Sequence, residues 1–163
     1  MKPTITKVIQ IYDIIPNELT SCVIKWKSWA EDRGYTYIHL PLSLNGYVSK
    51  AGASNEQRIK YLAENPYTLY ADWDTYPSNL FELPSYPCII DDSDIDSLQW
   101  NYNDTSMWKN LSKEYTKYKL NVPTYIHERG RGWKLMRKLG FNNLPRFPKN
   151  SCTHLKYHNY GHS

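Results

Sequence analysis

A chain of 163 residues, 40% of them hydrophobic, has the length of one domain and enough apolar side chain to bury a core without covalent staples. No apolar run is long enough to span a bilayer, and the lysine-interrupted start "MKPTITKVIQIY" lacks a signal-peptide core, so a soluble cytoplasmic protein is expected. Three scattered cysteines, Cys22, Cys88 and Cys152, argue against a disulfide framework or a zinc ribbon, and a net charge of +4 suits phosphate-bearing ligands, nucleic acid or anionic surfaces without choosing among them.

In chain order, "TITKVIQIY" (4–12) is rich in β-branched and aromatic residues and predicts a first strand. A helix follows from about Asn17 to Arg33, with Leu19, Cys22, Val23, Trp26, Trp29 and Ala30 on one face and Gly34 as its stop. "YTYIHL" (35–40) is a second strand, and "PLSLNGYVSKAGA" reads as a loop. "SNEQ" reads as a capping box, so a second helix is predicted from Ser54, with Gln57 at its third position, to Asn65-Pro66. "YTLYA" (67–71) is a third strand that delivers Asp72.

This strand–helix alternation predicts an α/β fold with a mainly parallel central sheet flanked by helices, in which ligands sit at the C-terminal ends of the strands. In the second half, "YPCII" (86–90) and "SLQWNY" (97–102) read as strands around an acidic run at 91–96. Asp104 is placed to cap a helix carrying Met107, Trp108, Leu111, Tyr115 and Tyr118 on one side. "GWKLMRKLGF" reads as a short basic helix stopped by Gly140, and the tail from Arg146 has no clear period. With no internal repeat or linker, residues 1–163 are expected to form a single domain.

Four features carry chemistry. Asp72 and Asp74, two residues apart at a strand end, can converge on one hard divalent cation such as Mn2+ or Mg2+; an acidic surface turn would have the same sequence. Arg58, on the preceding helix, can pair with a phosphate, a sugar hydroxyl or Asp72, or simply face solvent. His154, His158 and His162 recur every fourth residue, and any one of them could fold back onto a metal held by the aspartates. His39 and His127 have no identifiable partners and read as structural. Asp91 and Asp92, directly after a strand, are the members of the acidic run best placed to orient an acceptor hydroxyl or act as a base.

Together these blocks resemble metal-dependent glycosyltransferases of the GT-A type, and most nearly glycosyltransferase family 32, which includes mannosyltransferases and capsular-polysaccharide enzymes. The first strand "ITKVIQIY" is similar to the family's "PKIIHQIW". "WKSWAEDRGYTY" matches its tryptophan helix and glycine–tyrosine turn. "SNEQRIKYLAENPYTLYADWD" resembles its "SDxxR", helix and strand ending in D-x-D, and "HNYGHS" its histidine-bearing tail. The sequence departs from the family at Asn55, where an aspartate is usual, and at Asn65-Pro66, where a glycine pair is usual.

The resemblance implies a single GT-A-like domain. Its nucleotide-sugar half would span about 1–80, and its acceptor side and metal-binding tail about 81–163. It implies that Asp72 contacts the donor ribose and the metal, that Asp74 ligates the metal directly, and that His158 is the metal-binding histidine. Arg58 and Asn55 would contact the donor sugar or its phosphates, and Tyr12, with Gln10 beside it, would stack on the base. The expected reaction moves a sugar, with retention, from a UDP- or GDP-sugar to a glycan or another hydroxyl acceptor. Two other readings stay open: a basic, aromatic nucleic-acid-binding module, and a metal-dependent nuclease or phosphatase using the same aspartates.

Overall fold

The computed structural model describes residues 6–44, 46–47, 50–89, 98–121, 135–148 and 150–155. The first half follows the expected alternation. Strand β1 (Lys7–Ile11) leads through a short 3-10 turn at Asn17–Leu19 into helix α1 (Thr20–Asp32), then to β2 (Thr36–Leu40), α2 (Lys50–Glu64) and β3 (Thr68–Ala71). Helix α1 ends where Gly34 takes a positive φ of 74°, a conformation that costs glycine nothing. Its predicted face is the one that packs: Cys22, Trp26, Trp29 and Ala30 are buried.

Helix α2 begins four residues before the predicted capping box. Ser54 therefore lies within the helix, and Gln57 does not close its N-terminus. Its amide instead donates to the Pro41 carbonyl and accepts from the Ser43 backbone N–H, pinning the loop after β2. Lys50 and Ala53 tolerate helix well enough to extend it upstream of the apparent cap.

The second half adds β4 (Thr75–Pro77), β5 (Cys88–Ile89), β6 (Leu98–Asn101), α3 (Ser106–Asn121) and β7 (Cys152–His154). Asp104 caps α3 as predicted. Its carboxylate accepts from the Ser106 hydroxyl and backbone N–H, and these bonds hold its pKa below the ordinary carboxylate value. A helical turn at 135–138 is stopped by Gly140, φ 90°, before a 3-10 turn at Phe141–Asn143.

The main sheet has the order β2-β1-β3-β6-β5. β1 pairs in parallel with β2 and β3, and β6 runs antiparallel to both β3 and β5, so four of the five strands point one way. Apolar groups cover both faces. Val8, Leu69 and Trp100 pack with Trp26, Trp29 and Phe81 on the α1 side. Ile9, Ile11 and Tyr70 pack with Ile59, Leu62, Trp108 and Leu111 on the side of α2 and α3. Burial on both faces is what makes β3 read as a continuous apolar run. β4 and β7 form a separate two-stranded ribbon immediately beyond β3. Among the described residues no helix is long and apolar enough to cross a membrane.

Candidate metal and nucleotide site

Asp72 leaves the C-terminal end of β3, and a two-residue turn through Trp73 and Asp74 leads into β4. This turn is held from both faces of the sheet. On the α2 face, the Tyr70 hydroxyl donates to Asp72 Oδ1 at 2.5 Å, and Arg58 Nη1 lies 3.8 Å from the same oxygen. The Arg58 guanidinium lies over the Tyr70 ring, 4.8 Å from its centroid, and donates to Asn55 Oδ1. Arg58 is only 3% exposed and Asn55 7%, so the arginine that could have faced solvent is buried against the acidic turn.

On the α1 face it is the Asp72 carbonyl that is held. It accepts from Gln10 Nε2 at 3.2 Å, from the Thr75 hydroxyl at 2.7 Å and from the Thr75 backbone N–H at 3.2 Å. Trp26 Nε1 donates in turn to Thr75 Oγ1 at 3.0 Å. Gln10 is fully buried, and its Oε1 accepts from the Tyr37 hydroxyl at 2.6 Å. Both ends of the Gln10 amide are thus engaged inside the protein. Burial above all pushes the Tyr37 phenol well above its ordinary value, so it remains a donor at any physiological pH.

The β4–β7 ribbon supplies the third group. Its register sets Thr75 opposite His154, and the Leu155 N–H donates to the Asp74 carbonyl at 2.9 Å. His154 Nε2 then lies 3.1 Å from Asp74 Oδ2, across 80 residues of sequence. One ligand atom each from Asp72, Asp74 and His154 fall within 4.8 Å of one another. Two carboxylate oxygens and an imidazole nitrogen this close need only small side-chain rotations to share a divalent ion. Asp74 is buried, and Asp72, at 22% side-chain exposure, is the more open of the two aspartates. Cys22 lies nearby: burial first, and the Asp74 charge second, push its thiol up, so it stays protonated.

Tyr12 sits just past β1, with its ring stacked on His39 at 3.8 Å between centroids and 13° between planes. His39 Nε2 lies 2.8 Å from the Tyr12 carbonyl and so carries the proton of that bond. His39, expected to be without partners, is thus the ring beneath Tyr12. The structure gathers Asp72, Asp74, Arg58 and Asn55 at one strand end and links Gln10 to them through the Asp72 carbonyl.

His158, His162, His127, Asp91 and Asp92 lie outside the described residues. The run that contains Asp91 and Asp92 is bracketed by Ile89 and Leu98, and Leu98 pairs with Ala71, the residue before Asp72. Tyr37, Tyr70, Thr75 and Trp26 were not singled out as site residues from the sequence. Each is a core aromatic or a strand threonine, with no local signal to separate its polar role from packing.

No family model matches the chain, and no curated protein matches it in sequence. Solved structures do resemble it. A glycosyltransferase involved in glycosylation of the major capsid of PBCV-1 superposes with a TM-score of 0.53 at 13% identity, over 87% of this chain and 81% of that one. The catalytic domain of Drosophila β1,4-galactosyltransferase 7, in complex with xylobiose, superposes with a TM-score of 0.50 at 14% identity, over 98% of this chain and 75% of that one. At such identities the likeness establishes the fold alone, a GT-A-like α/β arrangement with a mainly parallel central sheet.

Proposed function

We propose that the protein is a metal-dependent glycosyltransferase that moves a sugar, with retention, from a UDP- or GDP-sugar to a hydroxyl of a glycan or similar acceptor. The observation that carries this reading is the convergence of Asp72, Asp74 and His154 at the C-terminal end of β3, beside the buried Arg58. In an α/β sheet of this kind the strand ends are where ligands sit. The fold type of the structural neighbours and the resemblance to family 32 point the same way.

In this reading Asp74 is the direct metal ligand, Asp72 contacts both the metal and the donor ribose, and His154 supplies the nitrogen ligand. A mixed oxygen and imidazole set favours Mn2+ over Mg2+, which prefers oxygen alone. The bound ion would act as a Lewis acid, neutralising charge on the departing diphosphate. Arg58, with Asn55 fixing its guanidinium, presents donors to the sugar or its phosphates. Tyr12 offers a ring to the base, backed by His39. Asp91 and Asp92 orient the acceptor hydroxyl. Retention of this type asks for no strong protein base, because the departing phosphate can take the acceptor's proton on the same face. Residues 1–80 would serve the donor and 81–163 the acceptor side and the metal.

The test is direct. The protein is incubated with a panel of nucleotide sugars and Mn2+, and free nucleotide diphosphate is measured. Slow release from one donor, lost in Asp74→Ala, is the expected result. Absence of any response to nucleotides and metal, with salt-sensitive binding to single-stranded nucleic acid instead, would overturn the proposal.

A further inference from the structure

The loop after β2 is clipped to helix α2 by a single side chain. Gln57 Nε2 donates to the Pro41 carbonyl at 2.7 Å, and Gln57 Oε1 accepts from the Ser43 backbone N–H at 3.1 Å. In an extended segment the carbonyl of one residue and the N–H two residues on point the same way. This amide therefore stands where the peptide of a neighbouring parallel strand would stand. A carboxamide can donate and accept side by side in this manner, whereas an ionised carboxylate can only accept. The clip lies one residue past a second anchor. The Leu40 carbonyl accepts from the Tyr12 N–H at 3.2 Å, and the Tyr12 carbonyl accepts from His39 Nε2 at 2.8 Å. The Tyr12 ring rests on His39, so one of its faces is already covered. Tyr12 is thus placed by His39 and Leu40 and, through Pro41, by Gln57.

The same helix holds the other end of the site. Arg58, the next residue, is buried with its Nη1 3.8 Å from Asp72 Oδ1, and Asn55 is buried beside it. Adjacent residues on a helix point roughly 100° apart, so α2 meets the acidic turn with Arg58 and the β2 loop with Gln57. We propose that Gln57 is a positioning residue that fixes the Tyr12 platform relative to the acidic turn, and so serves the base of a nucleoside diphosphate and not its phosphates. This role rests on the glycosyltransferase reading of the acidic turn. With the clip closed, the span from the Tyr12 ring to Arg58 is set before the ligand arrives, and binding need not order the loop. With the clip open, that ordering opposes binding of the base. A diphosphate without a base meets the same Asp72, Asp74 and Arg58 in either case.

Three ligands separate the two ends of the site: Mn2+ alone, inorganic pyrophosphate with Mn2+, and UDP or GDP with Mn2+. Each is titrated calorimetrically into the full chain in wild type, Gln57→Met and Gln57→Glu. Met keeps the bulk and loses both hydrogen bonds. Glu keeps the acceptor for Ser43 and sets a carboxylate against the Pro41 carbonyl. Gln57 is only partly buried, so both variants are expected to fold, and thermal unfolding verifies it. In wild type one nucleoside diphosphate is expected to bind more tightly than pyrophosphate. In both variants it weakens on the order of tenfold, the worth of one to two neutral hydrogen bonds, while Mn2+ and pyrophosphate bind as in wild type.

The positioning role is overturned, and the glycosyltransferase reading stands, if Gln57→Met binds the nucleoside diphosphate as wild type does or loses pyrophosphate by the same factor. It is overturned too if UDP and GDP bind wild type no more tightly than pyrophosphate. If wild type binds neither Mn2+ nor a nucleoside diphosphate, both proposals fall.

Discussion

The Asp72 side chain and its own peptide carbonyl are gripped from opposite faces of the sheet, by Tyr70 and Arg58 on one side and by Gln10 and Thr75 on the other. A carboxylate held this way has little freedom left to lose when it meets a cation. Tyr70 serves twice: its ring carries the Arg58 guanidinium and its hydroxyl orients Asp72. Tyr70→Phe removes only the second role. Partners of metal ligands typically carry about 10- to 100-fold in affinity, so a calorimetric Mn2+ titration should weaken by about that factor in this variant. The urea midpoint should barely move, because the buried ring is retained. A large stability loss with unchanged Mn2+ affinity would show Tyr70 to be packing alone. The sequence pointed to Asp72 and Asp74 because they follow an apolar strand. It could not reveal Tyr37, Thr75 or Trp26, since a tryptophan that packs and one that also donates its indole N–H have the same spacing on a helix.

Among the elements, those with enough residues to display a period were legible. Helix α1 shows its buried face at i, i+3/i+4 spacing, and Gly34 and Asp104 mark helix ends where the structure has them. The start of α2 was misread because Ser54 to Gln57 mimics a cap, whereas Gln57 is engaged with the loop at Pro41 and Ser43. The β4–β7 ribbon was invisible: three residues per strand are too few to show alternation, and the partner lies far along the chain.

Yet the ribbon delivers His154, and its terminal backbone bond from Leu155 to Asp74 sets the approach. Leu155→Pro deletes that donor. One hydrogen bond is worth about 0.5–1.5 kcal/mol net, so Mn2+ affinity should drop about two- to tenfold. Leu155→Ala, which keeps the N–H, should bind as wild type does. Equal losses in the two variants would assign the effect to the leucine side chain and not to the backbone bond.

For the molecule as a whole, the three candidate ligands join the end of β3 to β7, so on the proposed reading metal binding and global stability would be linked. Mn2+ at about 100 times its Kd should add about 2.7 kcal/mol to the folded state, which for a chain of this size raises Tm on the order of 5–10 °C. Differential scanning fluorimetry with Mn2+, then with excess chelator, measures this, and Asp74→Ala should show no shift. The separation of Asp74 and His154 by 80 positions has a further consequence, in time. A ribosome adds about 5–20 residues per second, so His154 is polymerised about 4–16 s after the aspartates. The nascent chain already carries β1, β2 and β3 with their acidic pair, but the nitrogen ligand is still to be made. On the proposed reading the ion would meet its nitrogen ligand only once the β4–β7 ribbon has closed the intervening loop, at an entropy cost of about 4 kcal/mol.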